Sequence, residues 1–182
     1  MKNVSSTYQQ LKSYFENELF DKAEAIATIH NNKLYNLCFD LAITNDNPAA
    51  WRCAWALAAC RDKYPEQGKN HLPDVINALP SITRDGHIRE LLKLFRNLPY
   101  GDFPENETGL LFDFCMNTFQ DAGKQPGTRS TAFQILLTFA REEPGLIREI
   151  QAAFYLIKHQ LTNGIMKSCE HRINRLQNEY QY

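Results

Sequence analysis

Apolar residues in this chain return every three or four positions, and they do so from one end to the other. Leu34, Leu37, Cys38, Leu41 and Ala42 fall at i, i+3, i+4, i+7 and i+8. Trp51, Ala54, Trp55 and Ala58 repeat that spacing, as do Ile88, Leu91, Leu92 and Phe95. Further stripes are Leu111, Phe112, Cys115, Met116 and Phe119, then Ala132, Ile135, Leu136 and Phe139. Ile150, Ala153, Phe154, Ile157 and Leu161 follow, and then Ile165, Cys169, Ile173 and Leu176. The first 30 residues carry a looser version in Tyr8, Leu11 and Phe15, then Phe20, Ala23, Ala27 and His30. Residues spaced this way share one face of a helix, and that face must be hidden against a neighbour. Strands ask instead for alternation and for β-branched residues. The chain holds only two valines, Val4 and Val75, and no alternating stretch. The expected fold class is all-α.

Proline and glycine place the breaks. All eight prolines, at 48, 65, 73, 80, 99, 104, 126 and 144, lie between the stripes or at their edges. A proline inside a helix loses a hydrogen bond, whereas the first turn tolerates it. Asn47-Pro48 reads as an N-cap followed by the first helical residue. Gly68, Gly101, Gly123, Gly145 and Gly164 fall in the gaps. The spacing predicts nine or ten helices over 7–17, 20–30, 33–44, 48–63, 71–79, 84–98, 105–121, 127–142, 145–161 and 164–178, the first two readable as one broken helix.

Two windows of equal length, Arg84 to Pro99 and Arg129 to Pro144, place Ile88 on Phe133, Leu91 on Leu136 and Leu92 on Leu137. A third, Ala50 to Pro65, ends the same way, with Arg52 displaced by two. The closing prolines lie 34 and 45 residues apart, close to the ~40–47 residues of a helix-pair repeat. Pro48-Ala-Ala-Trp-Arg-Cys-Ala-Trp-Ala-Leu and Pro126-Gly-Thr-Arg-Ser-Thr-Ala-Phe-Gln-Ile-Leu resemble the start of a second helix in a HEAT or armadillo repeat, with Arg52 and Arg129 matching that family's arginine. The resemblance covers residues 33–178. It implies a right-handed stack of antiparallel helix pairs, an α-α superhelix. On this reading residues 1–182 are one helical-repeat domain: capping helices over 1–30, repeats over 33–178 and a frayed tail over 179–182. The resemblance also implies binding of another macromolecule along a concave face. A minority of such proteins, similar to alkylpurine DNA glycosylases, bind damaged DNA.

A length of 182 residues suits one domain and a sizeable core. An apolar share of 43% and a charged share of 23% argue against disorder. The net charge of −1 gives no basic field to gather nucleic acid. All ten arginines nevertheless lie at or after Arg52. Cys38, Cys53, Cys60, Cys115 and Cys169 are odd in number, show no C-x-x-C spacing and sit within apolar stripes. They read as reduced core residues of a cytoplasmic protein. The first residues lack the apolar stretch of a secretion signal, and no run of about 18 apolar residues could span a membrane.

No catalytic residue, cofactor site or metal site is expected. The histidines at 30, 71, 87, 159 and 171 are never four apart, and Cys169 and His171 would point in different directions on one helix. Nucleophile elbows and phosphate-binding glycine loops are missing. The candidate partner-binding residues are Trp51, Arg52, Arg89 and Arg129. Trp51 and Trp55 share a helix face, suited to core packing or to a binding hot spot. An arginine near each helix start, from Arg52, Arg84 or Arg89, and Arg129, suits two roles. One is a structural ladder in which each guanidinium meets a carboxylate or the C-terminal carbonyls of an adjacent helix. The other is a row of donors facing an acidic peptide or a phosphate backbone. The partner expected is another protein. Duplex DNA is the rival, disfavoured by charge, and no membrane association is expected.

Overall fold

The apolar stripes become helices because each finds a neighbour to cover it. The computed structural model describes residues 2–17, 21, 25, 29, 32–45 and 48–180. Nine α-helices and no strand occur among them. The helix expected over 20–30 lies outside the described residues except for Asp21, Ala25 and Ile29, of which the last two are buried. Asn47 lies outside them too, and Pro48 itself takes the N-cap position ahead of Ala49. The chain divides into two compact units, Met1–Asn97 and Leu98–Tyr182.

The N-terminal unit contains α1 (Lys2–Glu16), α2 (Asn32–Ala42), α3 (Ala49–Lys63), α4 (Leu72–Ala78) and α5 (Asp85–Leu92). Helix α3 packs on α1, α2 and α5. Its sequence explains that central place. Ala49, Ala50, Cys53, Ala54, Ala56, Leu57, Ala58 and Cys60 are all buried, so apolar residues face nearly every direction. A helix apolar all round must be surrounded, and small side chains let its neighbours come close. Pro73 sits in the first turn of α4, where it costs no hydrogen bond. The helix expected over 84–98 ends earlier: α5 tightens at Lys93 into a 3-10 turn through Phe95.

The loop after α3 is fixed by one left-handed glycine. Gly68 has φ +77°, and an added Cβ would lie 2.5 Å from the Tyr35 ring and 2.9 Å from Phe39. The Tyr35 hydroxyl donates to the Gln67 carbonyl at 3.1 Å. The Phe39 and His71 rings stack with centroids 4.5 Å apart, and His71 Nε2 meets Asn36 Oδ1 at 2.9 Å. Gly68→Ala should therefore cost about 1–2 kcal/mol from the left-handed backbone and the ring contact. A urea titration checks this; an unchanged midpoint would contradict it.

The C-terminal unit contains α6 (Thr108–Gln120), α7 (Pro126–Glu142), α8 (Leu146–Ile157) and α9 (Asn163–Tyr180). Helices α6 and α7 form a hairpin, and α7 also packs on α8 and α9. Like α3, α7 is buried around most of its circumference, from Thr128 and Arg129 to Phe139 and Ala140. Phe119, Phe139 and Phe154 are among the largest side chains removed from solvent. The tail expected over 179–182 begins within α9 and includes Tyr180. That residue ends α9, and its hydroxyl donates to the Arg141 carbonyl at 2.7 Å. Residues 181 and 182 lie outside the described residues.

Candidate functional site

The two central helices place an arginine at the same step. Arg52 is the fourth residue of α3, and Arg129 is the fourth of α7. Helix C-termini leave carbonyls without partners and carry the negative end of the helix dipole. Arg52 Nη1 lies 2.8, 2.9 and 3.0 Å from the carbonyl oxygens of Phe15, Glu16 and Asn17, at the end of α1. Arg129 Nε donates to the Phe119 carbonyl at 2.9 Å, at the end of α6. Each guanidinium thus caps a helix packed against its own.

Their surroundings differ. Arg52 is half-buried, whereas Arg129 is 4% exposed. Burial pushes the Arg129 guanidinium below its ordinary pKa, and the charges of Asp121 and Cys169 oppose that shift. Arg129 Nη2 is buried and finds no hydrogen-bond partner among the described residues. Arg89 lies in α5 and pairs with Glu90 through Nε and Nη2, both at 3.1 Å. Glu90 is 2% exposed and also takes Lys93 Nζ at 2.8 Å. A buried carboxylate needs such pairing, because leaving it without a cation in a poorly solvated site is costly.

Trp51 is half-buried on α3, with the Arg84 guanidinium 5.3 Å from its ring centroid. Its indole Nε1 is buried, lies against Gly86 and has no hydrogen-bond partner among the described residues. Trp55, one turn on, is also half-buried. Arg84 and Arg129 are not equivalent, despite opening sequence windows of equal length. Arg84 stands before its helix and is exposed, while Arg129 lies inside one and is buried. Trp51, Arg52 and Arg89 belong to the N-terminal unit and Arg129 to the C-terminal unit.

A third cap carries no arginine. His87, in the first turn of α5, is fully buried, and its Nε2 lies 2.7 Å from the carbonyl of Ala42, the last residue of α2. A carbonyl only accepts, so Nε2 carries the proton. Nδ1 is buried with no hydrogen-bond partner among the described residues. Burial pushes the pKa below the ordinary 6.5, the bond to Ala42 pulls it up, and Arg84 pushes it down again. The unfolded ring takes a proton more readily than the folded one. The contribution of His87 is therefore full above about pH 6.5 and is lost as the pH falls below it, levelling once the buried ring protonates. His87→Gln keeps a donor for Ala42 without a titrating group. Urea titrations at pH 7.5 and 5 should show a larger acid loss for the parent chain than for this variant. Equal losses would contradict the assignment.

All five cysteines are free and buried. Among the described residues no group of three or more His, Cys, Asp or Glu is placed to hold a metal ion. No helix there is long and apolar enough to cross a membrane. No curated protein and no solved structure matches the chain. The model of the HEAT repeat domain family matches residues 8–176. With nearly the whole chain matched and every described element helical, the protein belongs to the HEAT repeat domain family.

Proposed function

We propose that this chain is a non-catalytic scaffold that binds another protein in the cytoplasm. A helical-repeat framework suits that role, because stacked helices offer long surfaces for partners. The observation that carries the reading is a pair of large side chains on the outer face of α8. Tyr155 is 47% exposed and Leu156 is 71% exposed. Adjacent exposed apolar groups of this size fit a protein contact better than a phosphate backbone. Trp51 and Arg89, both partly exposed, are further contact candidates in the N-terminal unit. Arg52 and Arg129 enter this proposal as caps on the ends of α1 and α6. Their engagement with main-chain carbonyls weakens the rival reading of a DNA-binding or DNA-repair module, which needs free cationic donors.

The test compares the parent chain with a Tyr155→Ser/Leu156→Ser variant in affinity capture from the native cell, with mass spectrometry of what is retained. The expected result is a partner retained by the parent and lost from an equally helical variant. Duplex DNA titrated at low salt should give no binding. Salt-dependent DNA binding, or retention of the same partner by the variant, would overturn the proposal.

A further inference from the structure

Helix α8 buries Ile147, Ile150, Ala153, Phe154 and Ile157 and turns Ala152, Tyr155 and Leu156 outward. These three fall at i, i+3 and i+4, on one face of the helix. Leu161, Ile165 and Met166, at the turn into α9, are half-buried. From 150 to 169 the formal charges are Lys158 and Lys167 alone, with no acid. Both lysines are exposed, and neither makes an ion pair among the described residues. Lys158 Nζ stands 5.0 Å from the centre of the Tyr155 ring, a cation–π contact that keeps its charge beside the apolar pair. The opposite charges of Arg148 and Glu149 come earlier on α8, and Glu170 comes later on α9.

On the reading of Tyr155 and Leu156 as a protein contact, on which this step rests, we infer that the partner supplies an acidic segment with an apolar anchor. One large apolar side chain of the segment covers Leu156 and Tyr155, and the flanking carboxylates meet Lys158 and Lys167. Covering the pair removes apolar surface from water, which gives the affinity. The lysines stand at its rim, where charge sets how fast a partner arrives and which partners are refused. A basic segment is repelled there, and a neutral one leaves both ammonium groups uncompensated. An anionic membrane fits less well, because two lysines fall short of the roughly 4–8 cations of a lipid-binding cluster.

The experiment pans a displayed library of random peptides against the full chain and measures binding kinetics with a synthetic peptide of the enriched sequence. The expected sequence sets Asp or Glu around one large apolar residue, and its association slows as sodium chloride is added. Lys158→Glu/Lys167→Glu should slow association about tenfold, and Leu156→Ser should speed dissociation about tenfold. The same peptide with its acids changed to lysine should bind the lysine-to-glutamate variant better than the parent, a gain that misfolding cannot produce. Enriched peptides without an acidic excess, no enrichment, or equal binding by parent and lysine-to-glutamate variant would overturn the inference. So would sedimentation of the chain with vesicles of phosphatidylcholine and phosphatidylserine. Neutral peptides that are lost on Leu156→Ser would sink the acidic partner and leave the protein-binding face standing; peptides indifferent to Leu156→Ser would sink that face as well.

Discussion

Replacing Phe139 with alanine should lower the unfolding free energy by about 3–5 kcal/mol. Phe139 is 2% exposed and lies on α7, the most enclosed helix of the C-terminal unit. Three rings meet it: Tyr100 at 5.9 Å, Phe103 at 5.1 Å and Phe112 at 5.6 Å between centroids. Tyr100 and Phe103 come from the segment before α6, and Phe112 from α6 itself, so one side chain fastens two parts of the unit to α7. Truncation removes the buried area and leaves a cavity that these rings cannot fill without leaving their own partners. Phe139→Leu keeps most of the volume and should lose only about 1–2 kcal/mol. Urea titration followed by circular dichroism reads both values. A Phe139→Ala loss below about 1 kcal/mol would mean that the ring cluster does not organise the unit.

The second large effect is expected at Arg52. Arg52→Met keeps the apolar stem and removes the donor, leaving the carbonyls of Phe15, Glu16 and Asn17 without it at the end of α1. Hydrogen bonds from a charged donor contribute about 1.5–3 kcal/mol together with the group left unsatisfied. Arg52 is only half-buried, and water can replace part of the loss. A net cost of about 2 kcal/mol is therefore expected. Arg172 is exposed on α9, and Arg172→Met should stay within about 0.5 kcal/mol of the parent. Equal urea midpoints for the two variants would contradict the capping role.

The all-helical fold was legible because every stripe needed a cover, and residues such as Ile88, Leu91 and Leu92 are buried where the period placed them. Helix ends were less legible. The change to a 3-10 turn after Leu92 and again after Ile157 depends on how the last carbonyls are satisfied, which the side-chain pattern does not encode. The prolines still marked the breaks within a residue or two, as Pro126 at the start of α7 illustrates. An arginine at a helix start was visible for Arg52 and Arg129, but its partners were not, because every backbone carbonyl looks alike in a sequence. The same blindness hid His87, whose partner lies 45 residues away on the main chain of α2. Equal spacing also misled. Arg84 and Arg129 align to their closing prolines, yet only Arg129 sits inside its helix, since α5 begins one residue after Arg84.

The common thread is that side chains near one helix start close the ends of other helices: Arg52 on α1, His87 on α2 and Arg129 on α6. Arg129 offers the cleanest observation, because its Nε donates to a single buried carbonyl. Proton–nitrogen correlation spectra of the arginine side chains, recorded near neutral pH, can follow that proton directly, with Arg129→Lys supplying the assignment. The account predicts a slowly exchanging Arg129 Nε–H that is unmoved by added duplex DNA. Exchange as fast as that of a solvated arginine, or a shift on adding DNA, would contradict it.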